Sequence, residues 1–408
     1  MAVKNKIILV LFIFAILIVA RFFQLSLVGG SATPKQFWSI RSIDVMKYSR
    51  DLAREKLMDP KFDVTIENQI SAIASTGASH VALGVPYDHE FLPIMRRWVT
   101  AIRRHNMKVW FRGNLSGWEG WFEYKKIDQE THTAWIKDFI LKNQDLFEDG
   151  DLFSSCPECE NGGEGDPRQT GKVEQYRQFL VNETDAVRFA MRKIGRDIPE
   201  NLHSMNGDVA RLIMDKETTK RLGGNVVIDH YVATPEKLIS DIREMARSSG
   251  GNIILGEFGA PIPDIHGNMD EAQQSKWVES ALRAMSQEPL VVGVNYWTSF
   301  GGSTKLWNDD GTARQAVEGV SKYFTPPQAA SKVVTWFGLP VADAQVYLGT
   351  YSSSTSAGGS FSLPSVSQST LEVSKPGFVT YKFPVTSTQK IYLEPTSLFT
   401  FLKFFIFS

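Results

Sequence analysis

Short apolar runs alternate with longer amphipathic stretches between residues 38 and 324. Apolar runs of four to eight residues indicate buried strands, and apolar positions repeating every three to four residues indicate helices. Strands alternating with helices predict a parallel sheet with helices on its faces. About eight strand–helix pairs fit this span, which is the pattern of a (β/α)8 TIM barrel. An open doubly wound sheet is the alternative. Such a sheet more often carries a Gly-rich phosphate loop after its first strand, and this sequence has none there.

The individual elements follow from the same pattern. The predicted strands are 37–45, 79–85, 108–114, 151–158, 202–205, 225–231, 252–258 and 291–297. The predicted helices are 67–75, 90–105, 131–143, 172–193, one starting near 208, 235–248, 271–287 and 312–323. Together they predict a catalytic-type barrel domain over residues 31–326.

The pattern of apolar and polar residues changes after Pro326 and Pro327. Short alternating segments punctuated by Gly, Ser and Pro predict a small antiparallel β-sandwich domain over residues 327–396. These segments are 345–348, 360–363, 370–373, 378–383 and 390–393. The stretches 338–346, 359–363 and 375–378 together resemble the carboxypeptidase-regulatory-like modules, which implies a non-catalytic accessory domain. Residues 397–408 form a hydrophobic tail with five Phe, too short to span a bilayer.

The first 30 residues predict export. Lys4 and Lys6 precede an apolar run over 7–20, which Arg21 separates from a second run over 22–28. This segment is either an uncleaved membrane-anchor helix or a cleaved signal peptide. Its positive end stays inside, so we expect a single-pass cell-membrane protein with its catalytic domain outside, or alternatively a secreted one.

Charge and cysteine content narrow the function classes. The formal net charge is −1, which gives no support for binding nucleic acid. The two cysteines, Cys156 and Cys159, are too few for a disulfide scaffold. In an exported protein they could form a disulfide, remain free thiols, or less readily bind a metal. No other residues supply a metal site, and no cofactor is predicted.

Two carboxylates follow predicted strands on opposite walls of the barrel. Active sites of such barrels lie at the carboxyl ends of the strands. Glu257 ends the seventh strand, between Gly256 and Gly259, and Glu158 ends the fourth, with Glu160 two residues further on. Glycoside hydrolysis needs two carboxyl groups that flank the scissile bond, one a proton donor and the other ionised. An isolated strand-end Glu would more often be a surface ion-pair partner, but this pair favours catalysis.

At these residues the chain resembles the clan A glycoside hydrolases, which include family 5 cellulases and mannanases. The resemblance covers residues of about 37–324, and Gly256-Glu-Phe-Gly259 is similar to the clan's nucleophile motif. It implies that Glu257 is the nucleophile and that Tyr231, in Asp229-His230-Tyr231, orients it. His230, in the same His/Tyr segment, is a further candidate to bind or orient substrate. The resemblance also implies that Trp297, ending Asn295-Tyr296-Trp297, floors the sugar subsite. Tyr231 and Trp297 could instead be core aromatics.

One position departs from the clan pattern. Clan members have Asn before the strand-four Glu, whereas Pro157 precedes Glu158 and Cys159 precedes Glu160. We favour Glu158 as the acid/base because it lies nearest the strand end, with Glu160 as the alternative. Asn161 is a candidate to replace the missing amide.

Further side chains are candidates to bind or orient substrate. Arg112 and Asn114 end the third strand, with structural roles as the alternative. Trp118 and Trp121, in the loop beyond, are candidate sugar platforms, because an aromatic face can cover the CH-rich face of a sugar. Weaker candidates are Asp44, Asn206 and Asp208.

The sequence thus predicts an exported, membrane-tethered retaining glycoside hydrolase acting on a β-linked glycan. A retaining site places its carboxyl groups about 5–5.5 Å apart, against about 6.5–9.5 Å for an inverting one. The rival interpretation is a non-catalytic carbohydrate-binding or cell-surface scaffold on a decayed barrel. A transglycosylase would use the same residues, and the sequence specifies neither the sugar, the linkage nor the oligomeric state.

Overall fold

Eight parallel strands form the central sheet. The computed structural model describes residues 37–163, 165–198, 201–366, 370–385, 390–397 and 399–400. The sheet order is β4-β3-β2-β1-β8-β7-β6-β5, and all its pairings are parallel. Its strands are β1 (Ile40–Asp44), β2 (His80–Leu83), β3 (Lys108–Phe111), β4 (Leu152–Phe153), β5 (Ser204–Asn206), β6 (Asn225–Asp229), β7 (Asn252–Phe258) and β8 (Val291–Tyr296).

The two end strands of this order also meet. A parallel bridge joins Phe153 to Asn201, and the Leu202 N–H donates to the Phe153 carbonyl at 2.8 Å. The Glu158 N–H donates to the Ser204 carbonyl, also at 2.8 Å. The arrangement fits the predicted (β/α)8 barrel.

Helices follow each strand. Their apolar faces pack with the outward-facing strand residues in one large core cluster. The longer helices are Phe62–Ser75, Leu92–Arg104, Gln129–Lys142, Val173–Lys193, Gly207–Ile213, Lys216–Arg221, Pro235–Ser249, Glu271–Gln287 and Ala316–Phe324. Single α-helical turns are Met46–Ser49, Ser116–Glu119, Pro167–Thr170 and Pro263–His266, and 3-10 turns are His89–Phe91, Trp121–Glu123, Gln144–Leu146 and Cys159–Asn161.

The barrel interior changes from apolar to polar toward the carboxyl ends of the strands. Successive side chains of a strand alternate between its two faces, so residues two apart share the inner face. One inner cluster is apolar and consists of Ile40, Ala82, Trp110, Leu202, Val227 and Ile254. Two residues further along, the same inner face carries Arg112, Ser204, Asp229 and Gly256. The sequence therefore builds a polar floor beneath the barrel mouth.

Two further sheets form a C-terminal β domain. A four-stranded sheet has the order β11-β10-β13-β14 and a three-stranded one β12-β9-β15. Their apolar side chains share one core, including Val333, Val346, Phe361 and Leu371. The strands are β9 (Gln328–Thr335), β10 (Gln345–Leu348), β11 (Tyr351–Ser354), β12 (Ser360–Pro364), β13 (Thr370–Ser374), β14 (Tyr381–Pro384) and β15 (Ile391–Leu393).

The β domain differs from the expectation in two ways. The pairing of β15 with β9 is parallel, whereas a wholly antiparallel sandwich was expected. Strand β11 and the first part of β9 were also not predicted, because their Ser- and Ala-rich sequences give weak alternation. The predicted domain boundary at 326–327 lies between the Ala316–Phe324 helix and β9.

Three other expectations concern the chain ends and β4. Strand β4 spans two residues instead of the predicted eight, because the chain turns out of the sheet after Phe153. The predicted anchor or signal peptide (1–30) lies outside the described residues, as does most of the 397–408 tail. Among the helices that the structure describes, none combines the length and apolar character required to cross a bilayer.

Candidate active site

Glu257 lies on β7 and faces the barrel interior because of a local irregularity. Ile253 and Leu255 belong to the core cluster between strands and helices, so strict alternation would turn Glu257 to that same side. The pairing of β7 with β6 shifts register between Ile228 and Asp229, so that Asp229 pairs with Glu257. A bulge of this kind re-aims a side chain. It brings the carboxylate into the mouth, where its side chain keeps 11% exposure.

The residues around this bulge leave no room for a larger side chain. A Cβ atom at Gly256 would lie 2.3 Å from Asp229 Oδ1, and one at Gly259 would lie 2.5 Å from the Trp297 carbonyl oxygen. The Gly256 carbonyl accepts from Arg112 at 2.5 Å and from Asn295 at 2.8 Å. The two glycines thus permit close packing of the strands around Glu257.

Two groups hold the Glu257 carboxylate. The Tyr231 hydroxyl donates to Oε2 at 2.8 Å, and Arg112 Nη2 lies 3.3 Å from Oε1. A hydrogen bond in which one partner is charged is stronger than a neutral one. The two contacts therefore hold the Glu257 carboxylate in a fixed orientation beside a positive charge, as a nucleophile needs.

Arg112 is shared among several carboxyl groups. Its side chain is fully buried, 2.9 Å from Asp229 Oδ2 and 3.5 Å from Asp44 Oδ2. Burial raises the pKa of Asp44 to about 7 and that of Asp229 well above its usual range, partly offset by Arg112. One guanidinium thus lies among three carboxyl groups, and its positive charge opposes the rise in the pKa of both aspartates.

Glu158 lies on an irregular loop on the opposite wall. Cys156 and Cys159 form a disulfide around it, which settles the alternatives for these cysteines. Glu158 has a left-handed backbone conformation, with φ of 47°. Asn161 Nδ2 donates to its Oε2 at 3.0 Å. Asn161 thus contacts the candidate acid itself, and its predicted contact with a sugar hydroxyl stays a prediction.

The electrostatic environment of Glu158 suits a proton donor. Burial and the negative charges of Glu257 and Glu160 together raise the pKa of Glu158 to about 8. A carboxyl group with such a pKa is in large part protonated at neutral pH. The negative charge of Glu257 is one cause of this shift, so the protonation of Glu158 depends on the charge of the carboxylate on the opposite wall. A general acid next to an ionised partner is the arrangement that glycoside hydrolysis requires.

Glu160 is engaged elsewhere. It is 3% exposed, and its Oε1 accepts from the Asn206 N–H at 2.7 Å. The Tyr176 hydroxyl lies 3.3 Å from its other oxygen. These contacts connect the Cys159–Asn161 turn to β5 and the Val173–Lys193 helix, which favours Glu158 over Glu160 as the acid/base.

A third carboxyl near this wall was not predicted. Glu119 ends the short Ser116–Glu119 helix, and burial raises its pKa to about 7. Asn114 Nδ2 donates to it at 2.5 Å, and its charge also raises the pKa of Glu158. No strand-end position pointed to Glu119, because it lies in a loop whose path the sequence pattern does not specify.

The aromatic candidates have different surroundings. Trp297 is half-buried and lies edge-on to Tyr231, which contacts Glu257, with the two ring centroids 6.1 Å apart. Trp121 is also half-buried, and the Arg50 guanidinium lies 4.9 Å from its ring centroid. Their contacts with sugar stay predictions. The His230 ring contacts Asp241 at 2.9 Å, while its backbone N–H donates to the Glu257 carbonyl, so the structure gives it a role in supporting β7.

Two predictions of substrate contact are wrong. Trp118 is 3% exposed, stacks on Phe179 at 5.0 Å and donates its indole N–H to the Cys159 carbonyl, so it is a core residue. Asn114 is completely buried, and its amide is used by Glu119, Cys156 and His132. A side chain with its hydrogen bonds satisfied inside the loop has none left for a sugar.

The weaker candidates, Asp44, Asn206 and Asp208, have different surroundings. Asp44 belongs to the buried cluster around Arg112, as described above. The Asn206 side chain accepts from the Asp208 N–H at 3.2 Å, and Asp208 pairs with Arg211 at 2.7 Å. Within the described ranges, no group of three or more His, Cys, Asp or Glu side chains is arranged to hold a metal ion.

Comparison with solved structures identifies the fold. The chain is similar to GH5_18 from Streptomyces cattleya in complex with GlcNAc, with 14% identity, a TM-score of 0.51, and coverage of 74% of this chain and 85% of that one. It is also similar to a GH5_18 variant from Bifidobacterium longum subsp. longum ATCC 55813 in complex with Manβ1-4GlcNAc, with 12% identity, a TM-score of 0.50, and coverage of 74% and 84%.

This chain shares the fold of family 5 glycoside hydrolases. No protein-family model matches the sequence, and no curated protein matches it either. At such low identity the likeness shows the barrel alone, so the chemistry must be argued from the site itself.

Proposed function

We propose that the protein is a retaining glycoside hydrolase that cleaves O-glycosidic bonds in a β-linked poly- or oligosaccharide. The observation that carries this proposal is that the barrel mouth holds a fixed carboxylate on one wall and a carboxyl group with a raised pKa on the other. Glu257 is held by Tyr231 and Arg112, while Glu158 has a pKa of about 8. The two neighbours in the fold comparison, both GH5_18 proteins in complex with sugars, agree with this activity.

The first half-reaction uses both groups at once. Glu257 attacks the anomeric carbon of the bound sugar, and the bond from that carbon to the leaving oxygen breaks. The leaving oxygen takes the proton from Glu158, which becomes a carboxylate. A covalent glycosyl-enzyme ester remains on Glu257.

The second half-reaction reverses the role of Glu158. Esterification removes the negative charge of Glu257, which is one cause of the raised pKa of Glu158. The pKa of Glu158 therefore falls when the intermediate forms, and its carboxylate can accept a proton from water. The water oxygen bonds to the anomeric carbon, the ester bond breaks, and Glu257 returns to its anionic state.

Export and membrane tethering belong to the same proposal. They are supported by the apolar runs over 7–20 and 22–28 with their preceding lysines. The Cys156–Cys159 disulfide agrees with an oxidising compartment. Protease accessibility of the barrel in intact cells, compared with lysed cells, tests this part separately.

Hydrolysis assays with product stereochemistry test the central proposal. We expect the protein to release sugar from at least one member of a panel of β-linked gluco-, manno- and xylo-oligosaccharides. Proton NMR of the first product should show the β-anomer, because two displacements preserve configuration. Release of the α-anomer would exclude retention. No hydrolysis across the panel, combined with binding of the same sugars, would favour the carbohydrate-binding scaffold.

A further inference from the structure

A cavity lies apart from the proposed catalytic residues, Glu158 and Glu257. It has a volume of about 960 Å³ and is lined by residues that follow β2 and β3 and by the Gln129–Lys142 helix. Its lining includes neither Glu158 nor Glu257, nor any of the groups that hold them. Cavities of roughly 300–1,000 Å³ that combine apolar walls with a few polar groups are typical of ligand sites.

The cavity has apolar and aromatic walls. Leu92, Leu115 and Phe139 contribute apolar surface, and Tyr124 and Trp135 add aromatic rings. Trp135 lies on the Gln129–Lys142 helix and is 48% exposed, so its ring is not covered by the barrel core. An exposed indole beside a cavity offers a flat apolar face to a ligand.

The polar rim is already paired within itself. Glu90 accepts from Arg54 at 2.7 Å and from the Tyr124 hydroxyl at 2.9 Å. Asp138 pairs with Lys142 at 2.8 Å, and Arg96 pairs with Asp145. These four rim charges thus each have an opposite charge in contact, while Asp88, the other carboxyl group of the lining, accepts hydrogen bonds from Ser116. The paired charges offer little net attraction to an ionic ligand.

The same groups keep hydrogen-bonding capacity. A carboxylate has about four lone-pair positions, and ammonium and guanidinium groups have three and five N–H donors. The rim can therefore donate and accept at the same time, which is what a sugar hydroxyl requires. The indole face complements the CH-rich face of a pyranose ring.

We propose that this cavity is a second carbohydrate-binding site, separate from the catalytic mouth, that takes a segment of a neutral glycan chain with Trp135 as its stacking platform. This second-site proposal rests on the proposed function only for the purpose of the site, which is to hold a polymeric substrate near the catalytic mouth. Binding of glycan at the cavity does not require the catalytic carboxylates.

Affinity gel electrophoresis tests the site. The full chain carrying Glu257→Gln, which prevents hydrolysis, is run through gels containing hydroxyethylcellulose, glucomannan or xyloglucan. We expect Trp135→Ala in this background to weaken retardation by the best-bound glycan by about fivefold to tenfold, as the loss of one stacked ring implies. Phe189→Ala is the matched control, because Phe189 is a 45% exposed aromatic on another barrel helix and lies outside the cavity.

Activity separates this proposal from the proposed function. In the otherwise wild-type chain, Trp135→Ala should raise the apparent KM for the polysaccharide and leave kcat/KM for a small aryl β-glycoside unchanged. Trp135-dependent retardation without any hydrolysis would support the site and contradict the enzyme. Hydrolysis with retardation that Trp135→Ala does not change, or retardation only by the acidic polymer polygalacturonate, would overturn the site.

Discussion

The two walls of the barrel mouth present their carboxyl groups in different ways. On one wall Glu257 belongs to the seven-residue strand β7 and is held by Tyr231 and Arg112. On the other wall, strand β4 has only two residues, and Glu158 lies beyond it in a loop that the Cys156–Cys159 disulfide closes. The first environment stabilises a negative charge in a fixed position. The second penalises a negative charge and so favours the protonated form, and the two opposite tasks of the proposed reaction call for this difference.

Removing the anchored anion should have the largest effect. Glu257→Gln keeps the shape and the contacts of the side chain but removes the nucleophile. We expect kcat to fall by a factor on the order of 10⁴ or more, as for other enzymes that lose a nucleophile. Steady-state assays should detect this, with Glu244→Gln, an exposed position, as the control. Nearly normal activity of Glu257→Gln would remove the strand-seven wall from the mechanism.

Removing the proton donor should have the next largest effect, and one that depends on the substrate. Glu158→Gln should lower kcat by about 10²- to 10⁴-fold for a substrate whose leaving group needs protonation. The loss should be much smaller for a dinitrophenyl glycoside, whose leaving group departs as a stable anion. Glu160→Gln should cost stability, about 1–3 kcal/mol, more than activity. The reverse ranking of the two variants would transfer the acid role to Glu160.

Weakening the hold on Glu257 should have a moderate effect. Tyr231→Phe removes one hydrogen bond to the carboxylate, worth about 1.5–3 kcal/mol when the partner is charged. This corresponds to a fall in kcat of about 10- to 150-fold if the bond is needed in the transition state. An unchanged kcat would show that Arg112 alone orients the nucleophile.

Removing the disulfide that closes the loop around Glu158 should lower kcat less than Tyr231→Phe does. Replacing Cys156 and Cys159 together by Ser removes a short cross-link, worth about 2 kcal/mol in the chain-entropy account. We expect a lower Tm and a several-fold loss of kcat, because Glu158 loses its fixed position. The same substitution pair should leave labelling of Glu257 intact. Unaltered kcat and Tm would mean that the loop needs no disulfide.

The pH profile should show the smallest and most specific effect. Since Glu158 acts as an acid, kcat/KM of the wild-type protein should fall as pH rises through about 8. The negative charge of Glu160 contributes to that raised pKa, so Glu160→Gln should move the alkaline limb to lower pH. A shift to higher pH, or no alkaline limb, would contradict the electrostatic account of this wall.

The barrel was predictable because its signals are local. The strand β7 and the helix Glu271–Gln287 have the bounds that their apolar patterns predict. Glu257 and Tyr231 were predicted as site residues from strand ends, which the (β/α)8 barrel turns toward one mouth, and the structure brings the two side chains into contact. The short β4 was missed because the predicted strand was extended through residues 154–158 to Glu158, whereas the chain leaves the sheet after Phe153.

The remaining site features depend on long-range contacts. Nothing near Arg112 in the sequence specifies that it meets Asp44 and Asp229, each more than 60 residues away. The bulge that turns Glu257 inward depends on pairing with β6. Trp118 was misassigned because a Gly-rich loop suggests exposure, whereas stacking on Phe179 of a later helix buries it.

Covalent trapping tests the central claim most directly. The protein is incubated with activated 2-deoxy-2-fluoro glycosides of the sugar that it hydrolyses, digested, and mapped by mass spectrometry. The account predicts one adduct, on the peptide carrying Glu257, that also forms in Glu158→Gln when the leaving group is dinitrophenolate. An adduct on Glu158 or Glu160, or turnover of the reagent without any adduct, would contradict it.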